Sequence, residues 1–173
     1  MPVLWLFTDS VRLPDPLGAA ARLPRGLCGV VLRHDKHPAR LALGLALAAI
    51  CRRRRLPLVV AGDWRLAFRL RAGLHLRGGR WLGGKRRPRL HTSSAHGVAD
   101  LLRAERGGAL PFLSPVFPTA SHPGLRALGV LRWAAHARRA GRPVAALGGV
   151  DGSTVRRLPH RLCVAVGAIG ALA

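Results

Sequence analysis

Hydroxyl and imidazole side chains follow a hydrophobic stretch at residues 113–124, which reads LSPVFPTASHPG. The stretch begins like a buried strand and ends in Thr119, Ser121 and His122. A strand that only packs has no need of these groups, whereas a strand that ends at a pocket can use them to hold a polar ligand. We therefore predict that the three side chains contact a ligand. A polar exit from a strand, with no ligand, is the alternative.

His96 and Asp63 are further candidates for chemistry. His96 comes two residues after Ser94, where a helical pattern starts. An imidazole titrates near neutral pH and can act as a general acid or base, and the position also suits a helix-capping environment, so both interpretations stand. Asp63 ends another apolar run and is a candidate magnesium ligand. A single carboxylate binds magnesium weakly, so this site would need further ligands.

Glycines follow the last two hydrophobic runs, as the pair Gly148-Gly149 and as Gly167. Where no Cβ intervenes, backbone N–H groups can approach an anion closely. Turns also use glycine, so one pair alone is weak support. Two sets at neighbouring strand ends favour a phosphate site.

Eight short apolar runs recur along the chain and could position these groups. Most are continuously apolar and are bounded by Gly, Pro or Asp, which indicates strands buried on both faces. The runs are Val3–Thr8, Gly29–His34, Leu56–Ala61, Gly73–Leu76, Leu90–Ser94, Ala109–Phe117, Pro143–Leu147 and Leu162–Ile169.

Helical patterns lie between most of these runs. Residues 37–55 end in arginines, which favour a helix C-terminus, and residues 94–108 start at Ser94 as a predicted cap and stop at two glycines. A third helix is predicted within residues 122–143, and shorter pieces at 17–23, 64–71 and 153–158. The residues predicted to face inward are Leu43, Leu47 and Ile50, then Val98, Leu101 and Leu102, then Leu128, Leu131 and Ala135.

Alternation of strands and helices predicts parallel strands with helical crossovers. An open, doubly wound sheet is one arrangement, but eight units favour a closed (β/α)8 TIM barrel. With 173 residues the chain is short for this fold. We therefore predict a compact single-domain barrel over residues 1–173, with shortened helices, a loop at 78–89 and no eighth helix. In such a barrel the polar groups above meet at the carboxyl ends of the strands, and phosphate is bound after strands seven and eight.

Composition narrows the functional classes. The formal charge is +22, but the cations are mostly arginines spread over the whole chain, and no tyrosine is present. Specific nucleic-acid recognition is therefore not expected, because basic and aromatic residues do not alternate. Cys28, Cys51 and Cys163 lack a CxxC spacing and predict core fillers in a reducing cytoplasm. The chain also lacks the pattern of a signal peptide or a membrane span.

Five stretches, in order, resemble the thiamine-phosphate synthase / TenI superfamily, a family of (β/α)8 barrels. LWLFTD resembles its opening strand, and AGLHLRGG resembles its Asp-Gly-Val-His-Leu-Gly-Gln segment. SSAHGVADLLRAERGGA resembles its Ser-x-His helix start and Gly-Ala-Asp turn. SPVFPTASHP resembles Gly-Pro-Val-Phe-Pro-Thr-x-Thr-Lys, and PVAALGGVDGSTV resembles Pro-Val-x-Ala-Ile-Gly-Gly-Ile-Asn. The resemblance covers about residues 3–169.

The resemblance implies a reaction and a set of contacts. The family's synthase joins an aminopyrimidine diphosphate to a thiazole phosphate: diphosphate leaves, and the thiazole nitrogen attacks the pyrimidinyl cation. By position, the residues that follow strand six would contact diphosphate or the thiazole phosphate, Ser94 the pyrimidine, and the glycines the thiazole phosphate. The carried-over binding residues are Arg33, Ser94, Thr119, Ser121, His122, Gly148, Gly149 and Gly167, with Asp63 as a magnesium (Mg2+) ligand.

The chain also departs from the family pattern, mainly where metal and diphosphate are handled. Arg33 is kept on strand two, but Val31 and Asp35 replace the Gln and Lys beside it. Gly62 replaces the Asn before Asp63, Arg80 falls where the second magnesium Asp is expected, and His122 replaces the loop lysine. One hypothesis is that Arg80 neutralises diphosphate without metal.

The sequence is compatible with two activities and with a third, non-catalytic role. Thiamine-phosphate synthesis comes first, and a TenI-like thiazole tautomerase, which needs a phosphate cup and His96, is the alternative. A non-catalytic phosphate-ligand binder is the third. A cytoplasmic protein is expected, acting on thiazole and pyrimidine phosphates, with homo-oligomerisation as an open prediction because a missing helix exposes apolar barrel surface.

Overall fold

Eight parallel strands pair in chain order, and the first also pairs with the last, so the sheet closes into a barrel. The computed structural model describes residues 3–35, 37–81, 83, 88–119 and 126–172. The predicted (β/α)8 barrel is confirmed, and the open sheet is wrong. The strands are β1 (Leu4–Phe7), β2 (Cys28–Leu32), β3 (Leu58–Ala61), β4 (Gly73–Leu76), β5 (His91–Ala95), β6 (Leu110–Leu113), β7 (Val144–Leu147) and β8 (Cys163–Ala168).

The described residues contain five α-helices, fewer than the eight of a full barrel. β4 and β5 are joined without a helix among these residues, and only a 3₁₀ turn (Val155–Arg157) lies between β7 and β8. After β8 the described residues form another 3₁₀ turn, Gly170–Leu172. The helices are α1 (Pro16–Arg22), α2 (Arg40–Arg54), α3 (Trp64–Leu70), α4 (Val98–Arg106) and α5 (Gly129–Ala137). None of these helices is long and apolar enough to cross a membrane.

Aromatic side chains fill the barrel interior. Because side chains alternate along a strand, Trp5 and Phe7 point inward while Leu6 packs towards the helices. The rings of Phe7 and Phe112 meet edge to face with centroids 5.0 Å apart, and the Trp5 and Phe112 rings do so at 5.9 Å. The interior is therefore a packed core rather than a channel.

His75 is a polar member of this interior. Its Nδ1 lies 2.8 Å from the hydroxyl of Thr92 on the neighbouring strand, and its ring meets Phe7 at 5.5 Å. Burial lowers the pKa of His75 to about 3, and the nearby cations Arg33 and Arg77 act in the same direction. The imidazole is therefore neutral at physiological pH.

The inward face of α5 differs from the prediction. Leu131 is 86% exposed and Ala135 is also exposed, whereas Trp133, Ala134 and Ala137 are buried. The indole of Trp133 decides the orientation, since it is fully buried and its Nε1 donates a hydrogen bond to the Leu113 carbonyl at 3.2 Å. Burial of this large side chain outweighs burial of a leucine.

The start of α4 also differs from the prediction. Ser94 lies inside β5 and is not a helix cap; the N-cap residue is Gly97, which has no side chain to offer. Asp100 accepts a hydrogen bond from the backbone N–H of His96 at 2.9 Å. Leu102 is 40% exposed, and Leu101 and Ala104, three residues apart, form the buried face instead.

A pH titration of stability tests the buried state of His75. In the unfolded chain the pKa of His75 is near 6.5, and in the folded chain it is about 3. Between these two pH values the unfolded state is protonated at His75 and the folded state is not. Stability should therefore fall as pH is lowered from about 6.5 towards 3, by up to about 1.4 kcal/mol per pH unit from this group. Urea unfolding at several pH values, with His75→Gln as the comparison, measures this slope. Equal slopes in both proteins would contradict the expectation.

Candidate active site at the carboxyl ends of the strands

A cavity of about 180 Å³ opens at the carboxyl ends of β1, β6, β7 and β8. One side of the cavity is apolar. The other side is formed by polar side chains and by the backbone of glycines. No carboxylate is among its described lining residues. The polar side is formed by Arg12, Arg33, His96, Ser114, Thr119, Gly148, Gly149, Gly167 and Gly170.

The pair Gly148-Gly149 follows β7 and lines this cavity. The carbonyl of Leu147 accepts from Val116 N–H, and the carbonyl of Gly148 accepts from Phe117 N–H, both at 3.0 Å. In a planar trans peptide the next N–H points the opposite way. The amides of Gly148 and Gly149 are therefore directed away from the exit of β6, and their role as hydrogen-bond donors to a phosphate stays a prediction.

Both positions in this pair require glycine. Gly148 has φ +91° and Gly149 has φ +65°, in the left-handed region that favours glycine. A Cβ on Gly149 would overlap the Pro118 carbonyl and lie 2.7 Å from the Phe117 Cβ. The close approach of the β6 exit thus fixes the backbone of Gly148 and Gly149, which together we call the glycine cup.

Gly167 lies in β8, opposite Leu147 of β7 and beside Trp5 of β1. A Cβ there would lie 2.6 Å from the ring of Phe7. This glycine therefore also makes room for an interior aromatic ring, a packing role that the sequence analysis did not include.

His96 sits just after β5 and is exposed, with its ring at the edge of the cavity. Its Nδ1 lies 3.1 Å from the backbone carbonyl of Ser114. Because a carbonyl only accepts, this contact assigns the proton of the neutral ring to Nδ1 and leaves the lone pair on Nε2. The imidazole is thus held by one nitrogen while the other can accept or return a proton.

Arg33 follows β2 and is half-buried at the cavity. Its backbone N–H donates to the Thr8 hydroxyl at 3.0 Å, and that hydroxyl also contacts Nδ1 of His34 at 2.9 Å. No acceptor lies within hydrogen-bonding distance of the Arg33 guanidinium among the described residues. Burial lowers the pKa of Arg33, which Asp9 opposes. A cation in this position is suited to an anionic ligand.

Arg12 was missed by the sequence analysis and lies on the same side of the barrel. Its Nη2 donates to Asp9 Oδ2 at 2.6 Å. Burial works against ionisation of Asp9, but hydrogen bonds from the Arg12 side chain and backbone and from Val11 N–H lower the pKa of Asp9 to about 2. The spacing Asp-x-x-Arg after a strand was the available signal.

The other predicted contacts are distributed differently. Thr119 lines the cavity, whereas Ser94 does not; its hydroxyl accepts from the Gly78 N–H at 3.2 Å. Ser121 and His122 lie outside the described residues.

Asp63 is a helix cap with an arginine partner. Its Oδ1 accepts from Leu66 N–H at 2.9 Å, at the start of α3, and its Oδ2 lies 3.5 Å from Nη1 of Arg40. Within the described residues, no group of three or more His, Cys, Asp or Glu side chains could hold a metal ion. These contacts do not fit a magnesium site built on Asp63.

Arg40, Arg77 and Asp35 complete an ion-pair network that the sequence analysis also missed. Arg40 Nη2 donates to Asp35 Oδ1 at 3.0 Å and to the Ala61 carbonyl at 2.7 Å. Arg77 Nη2 donates to Asp35 Oδ2 at 2.5 Å. The network joins residues 42 positions apart in the chain, and no local pattern could indicate it.

Similar structures support the architecture. A thiamine phosphate pyrophosphorylase from Pyrococcus furiosus superimposes with a TM-score of 0.78 over 97% of this chain and 85% of its own, at 21% identity. A thiamine phosphate pyrophosphorylase from Bacteroides thetaiotaomicron gives 0.66 over 99% and 84%, at 19% identity. FabK from Thermotoga maritima gives 0.73 over 99% and 58%, at 13% identity, so these likenesses show the fold alone.

Sequence comparison supplies the family. Thiamine biosynthesis bifunctional protein ThiED of Geobacter sulfurreducens is 32% identical over 127 residues, which cover 68% of this chain. The match spans 26% of that protein, so this chain corresponds to about a quarter of it. The family profile of thiamine monophosphate synthase matches residues 15–172. The chain therefore belongs to the thiamine monophosphate synthase family.

Proposed function

We propose that this protein binds a thiazole phosphate in the glycine-lined cavity and couples it to an aminopyrimidine diphosphate, forming thiamine phosphate. The observation that carries the proposal is that Gly148 and Gly149, whose backbone N–H groups point away from the exit of β6, line one cavity together with Arg33. Backbone amides and a guanidinium together suit a phosphate group. The cavity is smaller than those that hold drug-sized molecules, which fits a small heterocycle.

The chain's contribution to coupling would be mainly positioning and charge. The glycine amides would fix the phosphate of the thiazole, and so direct its ring nitrogen towards the centre of the barrel mouth. Arg33 would stabilise the negative charge that develops on departing diphosphate. Holding two reactants in one orientation accelerates a bimolecular step strongly.

A second candidate function is tautomerisation of a thiazole phosphate, as in TenI-like proteins. The position of His96 favours it, because an imidazole with a free Nε2 lies at the edge of the same cavity. Such chemistry needs a phosphate cup and one group that moves a proton, and no diphosphate substrate.

An assay with both substrates separates these functions. The purified protein is incubated with thiazole phosphate and aminopyrimidine diphosphate, and thiamine phosphate is measured by mass spectrometry. Product supports coupling. Binding of thiazole phosphate without product, together with exchange of a thiazole proton in deuterated water, would contradict coupling and support the tautomerase.

The glycine cup is tested by Gly149→Ala. The added methyl group meets Pro118 and a left-handed backbone, so we expect at least a tenfold weaker affinity for thiazole phosphate in calorimetric titration. Gly152→Ala is the matched control, since a Cβ there meets nothing within 4 Å. Equal affinities of the two variants would contradict the assignment of the cup.

His96→Gln tests the proton-transfer role. Loss of a positioned acid–base group typically costs about 10²- to 10⁴-fold in rate, so deuterium exchange into thiazole phosphate should slow by this range while its affinity changes less than threefold. His160→Gln, at an exposed histidine outside the cavity, is the control. An unchanged exchange rate in His96→Gln would remove the histidine from the chemistry.

A further inference from the structure

Besides Arg33, two further arginines, Arg40 and Arg77, have their guanidiniums at the ends of β2 and β3. Arg77 lies across Gly62: a Cβ built on Gly62 would be 3.2 Å from Nε of Arg77. Gly62 has φ +67°, and its missing side chain is the space that the guanidinium occupies. A fixed cation therefore sits directly beside Asp63, where a metal site would require open carboxylate oxygens.

The carboxylates of this region are already engaged. Both oxygens of Asp35 accept from arginines, one from Arg40 and one from Arg77, and both oxygens of Asp63 have partners. A divalent cation would have to displace a guanidinium or undo the cap of α3. Electrostatic repulsion by the displaced arginines would oppose such a cation further.

The region has more positive than negative charge. Arg40 and Arg77 pair with the carboxylates of Asp35 and Asp63, and Arg33 adds a third guanidinium nearby, which leaves one positive charge in excess among these five groups. Arg77 is 68% exposed and thus keeps most of its surface for a ligand. Arg33 lies two residues before Asp35, the carboxylate that holds Arg77, so both arginines lie at the end of β2.

We propose that Arg77, held against Gly62 by Asp35, forms with Arg33 a fixed cationic site for a diphosphate group, so that this chain binds diphosphate without a divalent cation. The planar guanidinium donates two parallel hydrogen bonds to phosphate oxygens and carries its charge at any physiological pH. Asp35 keeps Arg77 in place before the ligand arrives, which reduces the entropy lost on binding.

The inference rests on the proposed function in one respect, that diphosphate is the leaving group. It is tested without turnover, by calorimetric titration of inorganic diphosphate into the full chain at about 150 mM salt, where exposed charges are screened. The titration is run once with EDTA and once with magnesium. We expect binding of one diphosphate per chain in EDTA, with no gain from magnesium. Binding that is detected only with magnesium would overturn the proposal.

Variants locate the site. Arg77→Gln should weaken diphosphate binding about tenfold in EDTA, and Arg33→Gln should have an effect of the same order. Arg69→Gln, on the exposed side of α3, removes the same charge and should change the affinity less than twofold. Equal losses in Arg69→Gln and Arg77→Gln would show attraction by net charge alone and overturn the proposal. Thermal unfolding of each variant confirms that the barrel is intact, and Arg33→Gln carries the test if Arg77→Gln unfolds.

Failure of this inference and failure of the proposed function give different results. Metal-free binding of diphosphate without formation of thiamine phosphate would remove the coupling and leave the arginine site. Formation of thiamine phosphate by a protein that binds diphosphate only with magnesium would keep the coupling and overturn the arginine site.

Discussion

Phe7 can enter the barrel interior only because Gly167 beside it has no side chain, and much of the site depends on this packing. The ring of Phe7 meets both Phe112 and His75 edge to face. His75 in turn is held by Thr92 on β5. The interior thus joins β1, β4, β5, β6 and β8 at one level, directly below the strand ends where the glycine cup and Arg33 lie. A larger residue at position 167 would move the floor of the cavity as well as its wall.

The two sides of the barrel mouth offer different groups to the proposed anionic ligands. After β7, Gly148 and Gly149 adopt positive φ, and their backbone amides point away from the exit of β6. Around β2, β3 and β4, side-chain guanidiniums are fixed by carboxylates that serve as anchors. Backbone amides carry partial positive charges, whereas guanidiniums carry full ones. The arginine side therefore suits diphosphate, which has a larger negative charge than the single phosphate of the thiazole.

Much of the fold was predictable because parallel strands buried on both faces leave a plain pattern, short apolar runs between breakers. The glycine pair and His96 were predictable for a related reason, since they follow such runs. The face that α5 buries was not, because Leu131 and Trp133 are both apolar, and burial of the larger indole together with its hydrogen bond to Leu113 decides between them. The Arg40–Asp35–Arg77 network was invisible for a different reason: it is formed by three distant segments, and arginine is too frequent in this chain to mark any one position.

The ion pairs also have a kinetic consequence. Three carboxylates at the mouth, Asp9, Asp35 and Asp63, are each bound to an arginine, and Arg33 adds a further cation, so these groups together carry a net positive charge. Such a charge steers negatively charged molecules into a cleft and raises their rate of association, most strongly at low ionic strength. The same positive charge would slow the dissociation of an anionic product. The arginines would therefore speed association of the substrate and slow release of the product.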